Sequence, residues 1–209
     1  MMLNRRVLVH CGLLALLPTA HAAEPPKLLV LGDSLSAEYG LTRGSGWVAL
    51  LTQRLATHKP PYAVVNASIS GETTAGGRAR LAALLKTHTP RVVVIALGSN
   101  DALRGLPLAD TRAHLTAMVA ACRAAGARVL LVGNQVPPNY GQRYTTDFAA
   151  AFSDVARAEQ AALVPFMLAG VADAKDPTAL FQADRLHPTA AAQPQILSTV
   201  WQGLAPLLR

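Results

Sequence analysis

Cysteine is almost absent from this chain: its 209 residues include two, Cys11 and Cys122. Cys11 lies in a segment that reads as removable, so one thiol survives and no internal disulfide can form. No Cys/His spacing suited to zinc occurs either, and neither a metal nor a cofactor is expected. Runs of basic residues are also missing. The formal charge is +7, and losing Arg5 and Arg6 leaves 17 basic against 12 acidic side chains. These are scattered rather than clustered, which argues against nucleic-acid binding. No repeat, low-complexity tract or interdomain linker appears, and Pro60-Pro61 and Pro137-Pro138 mark ordinary loops. The apolar stretch from Val7 to Leu17 is too short to span a bilayer.

That stretch has a different use. Asn4-Arg5-Arg6 precedes it, Pro18 to Ala23 follows it, and "AHA" at 20–22 (or "HAA" one residue on) has the small-x-small pattern of a cleavage site. Residues 1–23 are therefore expected to be an export signal, and 24–209 a single soluble domain, periplasmic or secreted.

The rest alternates between two periods. Candidate strands cover 28–32, 62–66, 92–97 and 128–133, with a weaker one near 163–166. Several are apolar on successive residues, the pattern of burial on both faces. Helical spacing links Trp47, Leu50, Leu51 and Leu55, then Phe148, Phe152 and Val155, and a last helix runs from about 189 to 205. Leu115, Met118, Val119 and Cys122 also form one helical stripe, making Cys122 a core residue rather than a nucleophile. Repeated strand–helix alternation implies an α/β fold, a parallel sheet of about five strands between two helical layers.

Ligands of such sheets bind beyond the carboxyl ends of the strands. The candidate strands lead there to Gly32-Asp33-Ser34, Ser68 to Glu72, Gly98 to Asp101, Gly133 to Gln135 and, last, "ADRLHPT" at 183–189. Ser34 is a candidate nucleophile, although "GDS" alone is an ordinary helix-cap sequence and the Gly-x-Ser-x-Gly elbow is missing. A serine needs a base. His10 and His21 leave with the signal, and His58, His88 and His114 read as solvated positions in helix bodies or tails. His187 stands in a non-helical segment three residues after Asp184, where the carboxylate can curl back to the imidazole and fix its tautomer. Asn100 offers an amide donor at the same edge and Gly71 an unscreened backbone N–H; with the Ser34 N–H they make three donors for an oxyanion. Asp33 is expected to bond loop N–H groups, since neighbouring side chains in a tight turn point apart.

"GDSLS", "NASISGETT", "LGSND" and "DRLHP" resemble, in order and spacing, the four sequence blocks of the SGNH (GDSL) hydrolases, with the closest likeness to the bacterial periplasmic thioesterase I/lysophospholipase or arylesterase type. The resemblance extends over essentially the whole mature chain. It implies a flavodoxin-like sheet, Ser34 as nucleophile and first oxyanion donor, Gly71 and Asn100 as the other donors, His187 as base and Asp184 as its orienting acid. It also implies a mobile loop at about 102–108 beside the acyl site. Two positions depart from the pattern: Ser99 replaces a common second glycine, and Arg185-Leu186 fill the Asp–His interval where a glycine is common. The implied activity is hydrolysis of acyl esters and thioesters, and of lysophospholipids, by a monomer acting through an acyl-enzyme. An O-acetylesterase of carbohydrate or peptidoglycan is the alternative on the same fold.

Overall fold

The computed structural model describes residues 24–208, so the export-signal expectation for 1–23 lies outside the described residues. Among the described residues, five strands form one sheet: β1 (Lys27–Gly32), β2 (Ala63–Asn66), β3 (Val92–Ala96), β4 (Arg128–Val132) and β5 (Ala162–Val164). All pair in parallel in the order β2-β1-β3-β4-β5, the doubly wound order whose direction reverses between β1 and β3. The expected fold class is what the chain adopts.

The described residues also form six α-helices that flank the sheet or its strand ends: α1 (Trp47–Ala56), α2 (Thr74–His88), α3 (Ser99–Leu103), α4 (Leu108–Ala124), α5 (Gln142–Ala158) and α6 (Gln193–Leu204). Alternate residues of each central strand feed opposite cores, which is why those strands are apolar throughout. Leu28, Val30, Val92, Val94, Leu130 and Val132 pack beneath α1 and α6. Leu29, Leu31, Val93, Ile95, Val129 and Leu131 pack beneath α2, α4 and α5. A fully buried side chain such as Leu131 stabilises the fold by a margin that truncation to alanine reveals, about 2–5 kcal/mol. Cys122 is buried in the second core, as its stripe requires. No helix among the described residues is long and apolar enough to cross a membrane.

Three local expectations need correction. The final helical segment is α6 flanked by 3-10 turns at Ala190–Ala192 and Ala205–Leu207, not one helix. Ala102 and Leu103 belong to α3, so the connection after the Asn block is shorter than 102–108. It can coil at once because Gly98 turns out of β3 at φ +126, where a side chain would also press on the Phe152 ring. His114 is half-buried and bonded rather than a free surface position. Its Nδ1 meets the Thr74 hydroxyl, which donates to the buried Asp101 carboxylate, and Asp101 also accepts the Thr74 N–H at the start of α2. An anion is well placed at that helix terminus. This network joins α2, α3 and α4 just behind the strand ends.

Candidate active site

Ser34 leaves β1 at the point where the sheet reverses direction. The chain turns there because the Asp33 carbonyl accepts the N–H groups of Ser36 and Ala37, and the Asp33 carboxylate accepts that of Leu35 at 3.0 Å. Two distant side chains hold the turn open. The Trp47 indole donates to the Leu35 carbonyl at 3.1 Å, and the Asn66 amide donates to the Ser36 carbonyl at 2.8 Å. Asp33 thus has the structural part expected of it. Burial, more than anything else, pushes its carboxyl up to about 6, against the Leu35 N–H and the nearby His187, which pull it down.

His187 arrives from the far end of the chain. Its segment is secured by a bridge between Phe181 and Pro188 and by the Gln182 amide, which donates to the carbonyls of Tyr39 and Pro188. His187 Nε2 lies 2.9 Å from Ser34 Oγ, and His187 Nδ1 lies 2.7 Å from Asp184 Oδ2. Ionised Asp184 can only accept, so the ring proton sits on Nδ1 and Nε2 is free to accept from the serine hydroxyl. Asp184 Oδ1 also accepts the backbone N–H groups of Leu186 and His187 at 2.9 and 3.0 Å. The two backbone bonds, His187 first, and then the ring bond hold this carboxyl down at about 2, although it is largely exposed.

Arg185, in the Asp–His interval, adopts φ +56, in the left-handed region where a side chain is penalised and a glycine is favoured. Ser99, the other departure, accepts from the Asn134 amide at 2.8 Å and ties the end of β3 to that of β4.

Gly71 and Asn100 meet at the turn after β2. The Glu72 N–H closes on the Ile69 carbonyl at 3.1 Å with Gly71 at φ +78 and no positive φ at Ser70, the signature of a type II turn. Asn100, in the first turn of α3, donates to the Glu72 carbonyl at 3.0 Å and approaches Asp33 Oδ2 at 3.4 Å. Among the described residues, the Ser34 and Gly71 N–H groups have no hydrogen-bond partner. Gly71 does not line the cleft itself; Ser34, Asn100 and His187 do.

The cleft measures about 490 Å³, and Leu35, Leu103, Val136, Phe166, Leu168 and Phe181 supply much of its wall. Sequence reasoning missed Tyr39, whose half-exposed ring lies 4.3 Å from that of His187, and Asp101, which anchors α3 behind the cleft. A lone tyrosine in a loop gives no signal of that contact, and Asp101 was hidden within "GSND" beside the more obvious Asn100.

The arrangement supplies a hydroxyl, a base poised to take its proton, an anion stabilising that base, and unused N–H donors nearby. Comparison with known proteins agrees with this chemistry. Esterase TesA of Pseudomonas aeruginosa is 51% identical over 203 residues, 97% of this chain and 100% of that protein. Thioesterase 1/protease 1/lysophospholipase L1 of Escherichia coli K12 is 40% identical over 196 residues, covering 94% of this chain and 91% of the relative. A crystal structure of TesA superposes with a TM-score of 0.83 at 53% identity, covering 87% of this chain and 99% of that one. The model of the GDSL-like lipase/acylhydrolase family matches residues 30–193, a span that contains Ser34, Gly71, Asn100, Asp184 and His187, and the chain belongs to that family.

Proposed function

We propose that this protein is an exported serine esterase, periplasmic or secreted, in which residues 1–23 are a cleaved signal and residues 24–209 form one hydrolase domain. The observation that carries the reading is the continuous contact from Asp184 through His187 to Ser34, at 2.7 and 2.9 Å. Ser34 Oγ attacks the acyl carbonyl as its proton passes to His187 Nε2. Asp184 holds the Nδ1–H and stabilises the imidazolium. The N–H groups of Ser34 and Gly71, with the Asn100 amide turning its long 3.4 Å bond from Asp33 to the substrate, receive the oxyanion, each worth about 3–4 kcal/mol in the transition state. Collapse breaks the bond to the alcohol or thiol, which leaves with the proton from His187. Water then attacks the acyl carbonyl as its proton passes to His187, and breaking of the ester bond frees the acid while His187 returns that proton to Ser34 Oγ.

The substrates are medium-chain acyl esters and thioesters, aryl esters and lysophospholipids. The apolar cleft supports an acyl chain longer than acetyl, and the machinery grips the carbonyl rather than the leaving group. The thioesterase and lysophospholipase names of the Escherichia coli relative point the same way.

Ser34→Ala tests the reading. It should keep the fold by circular dichroism while losing both p-nitrophenyl octanoate hydrolysis and labelling by a fluorophosphonate. Near-normal turnover would refute the nucleophile. Faster hydrolysis of acetylated sugar than of octanoyl ester by the parent protein would refute the substrate class. N-terminal sequencing of exported protein should begin at Ala23 or Glu24.

A further inference from the structure

The short helix α3 holds the Gly71 turn from two sides. Asn100 donates to the Glu72 carbonyl at 3.0 Å, and Arg104, at the C-terminal end of the same helix, donates to the Gly71 carbonyl at 2.7 Å. The two contacts grip consecutive carbonyls. Arg104 itself is set by its own N–H, which donates to the Asn100 carbonyl at 3.1 Å. Behind them, Asp101 fixes α3 to the start of α2. A single rigid element therefore carries both Asn100 and the guanidinium that holds Gly71.

The turn needs that restraint. In a type II turn, rotation of the central peptide sends the N–H of the third residue to the opposite face and converts the turn to type I. Here the central peptide is Ser70–Gly71, so its N–H is the one counted above as an oxyanion donor. Glycine at the third position does not oppose the rotation, because it has no side chain to clash on either face. The Gly71 carbonyl lies on the next peptide and keeps its direction in either form, so a bond to it fixes where the turn sits against α3. A charge-assisted bond of 2.7 Å to a planar guanidinium fixes direction as well as distance.

We propose that Arg104 is a positioning residue: through the Gly71 carbonyl it holds the 69–72 turn against α3, so that the Gly71 N–H and the Asn100 amide on that helix meet the same reacting carbonyl. This inference rests on the serine-esterase reading. Its energetic value lies in orientation, since an exposed ion-dipole contact adds little to global stability.

The test uses the full mature protein with Arg104→Ala and Arg104→Lys, assayed on the neutral substrate p-nitrophenyl octanoate. Arg104→Ala should lower kcat roughly 10- to 100-fold with KM little changed, the scale of a misplaced transition-state donor. Its affinity for an alkyl boronic acid, which mimics the tetrahedral state, should fall by the same factor. Guanidinium ion at concentrations well below those that unfold the protein should restore part of kcat, and lysine, a point charge without the planar fork, should restore less than arginine provides. Unchanged kcat and boronate affinity in Arg104→Ala would overturn the proposal. A loss confined to substrates with an anionic leaving group, or to KM, would overturn it too by making Arg104 a substrate contact. Ser34→Ala and fluorophosphonate labelling report on the parent reading separately: active Ser34→Ala defeats that reading, whereas inactive Ser34→Ala with intact Arg104→Ala defeats this one alone.

Discussion

Asp33 and Asn100 approach each other at 3.4 Å across the point where the sheet reverses, so a buried carboxyl group stands directly behind the candidate oxyanion donor. Asp33 is 2% exposed, and burial raises its carboxyl from 3.8 to about 6. The folded state therefore holds this proton more tightly than the unfolded chain does. Asp33 favours folding fully below about pH 4, and that contribution is lost as pH rises through about 6. Asp33→Asn keeps an oxygen for the Leu35 N–H and stays neutral at every pH. The parent should lose stability relative to Asp33→Asn between pH 4 and 7, by up to about 3 kcal/mol, as read from urea unfolding. A difference between the two that stays constant across that range would refute this assignment.

Asp184 behaves in the opposite way. Its carboxyl is held at about 2 by the His187 and Leu186 N–H groups and by the His187 ring, so it remains ionised throughout any practical assay range. The acid limb of the activity profile should not trace to this group. Asp184→Asn can still accept the two backbone N–H groups, but its amide faces Nδ1 with a donor and selects the wrong imidazole tautomer. The expected loss in kcat is about 10³- to 10⁴-fold with the fold intact. Retention of more than a tenth of the parent rate would show that His187 is oriented by something else.

Gly71→Ala separates backbone conformation from space. An added Cβ would lie 3.5 Å from Arg104 Nη2, an ordinary contact, so any effect must come from φ +78. The turn should relax toward type I, carrying the N–H away and turning the Ser70 carbonyl toward the reacting centre. A fall in kcat of about 100-fold with a small change in thermal midpoint is expected. A large loss of stability with normal kcat in the surviving folded fraction would contradict this.

The architecture was legible because runs such as Val92 to Ala96 have no polar face and are short and β-branched, the pattern of a strand covered on both sides. Ser34, Asp184, His187, Gly71 and Asn100 were legible as candidates, since each falls in a polar or glycine-bearing segment beyond the carboxyl end of a strand. The contacts that hold them in place were not. Trp47 bonding Leu35, Arg104 bonding Gly71 and Tyr39 lying on His187 join residues 12, 33 and 148 positions apart, and no local propensity records such pairings. Arg185 misleads for another reason. Its left-handed backbone is imposed by the Asp184 and Gln182 hydrogen bonds around it, against the preference of its own residue type.

His187 lies 153 residues beyond Ser34, in a segment fastened by little more than the Phe181–Pro188 bridge and the Gln182 amide. Synthesis from the N-terminus delivers the Ser34 hydroxyl early and the His187 imidazole almost last. Their 2.9 Å contact is thereby deferred until the final segment docks, and any partly folded intermediate carries the hydroxyl without the imidazole beside it.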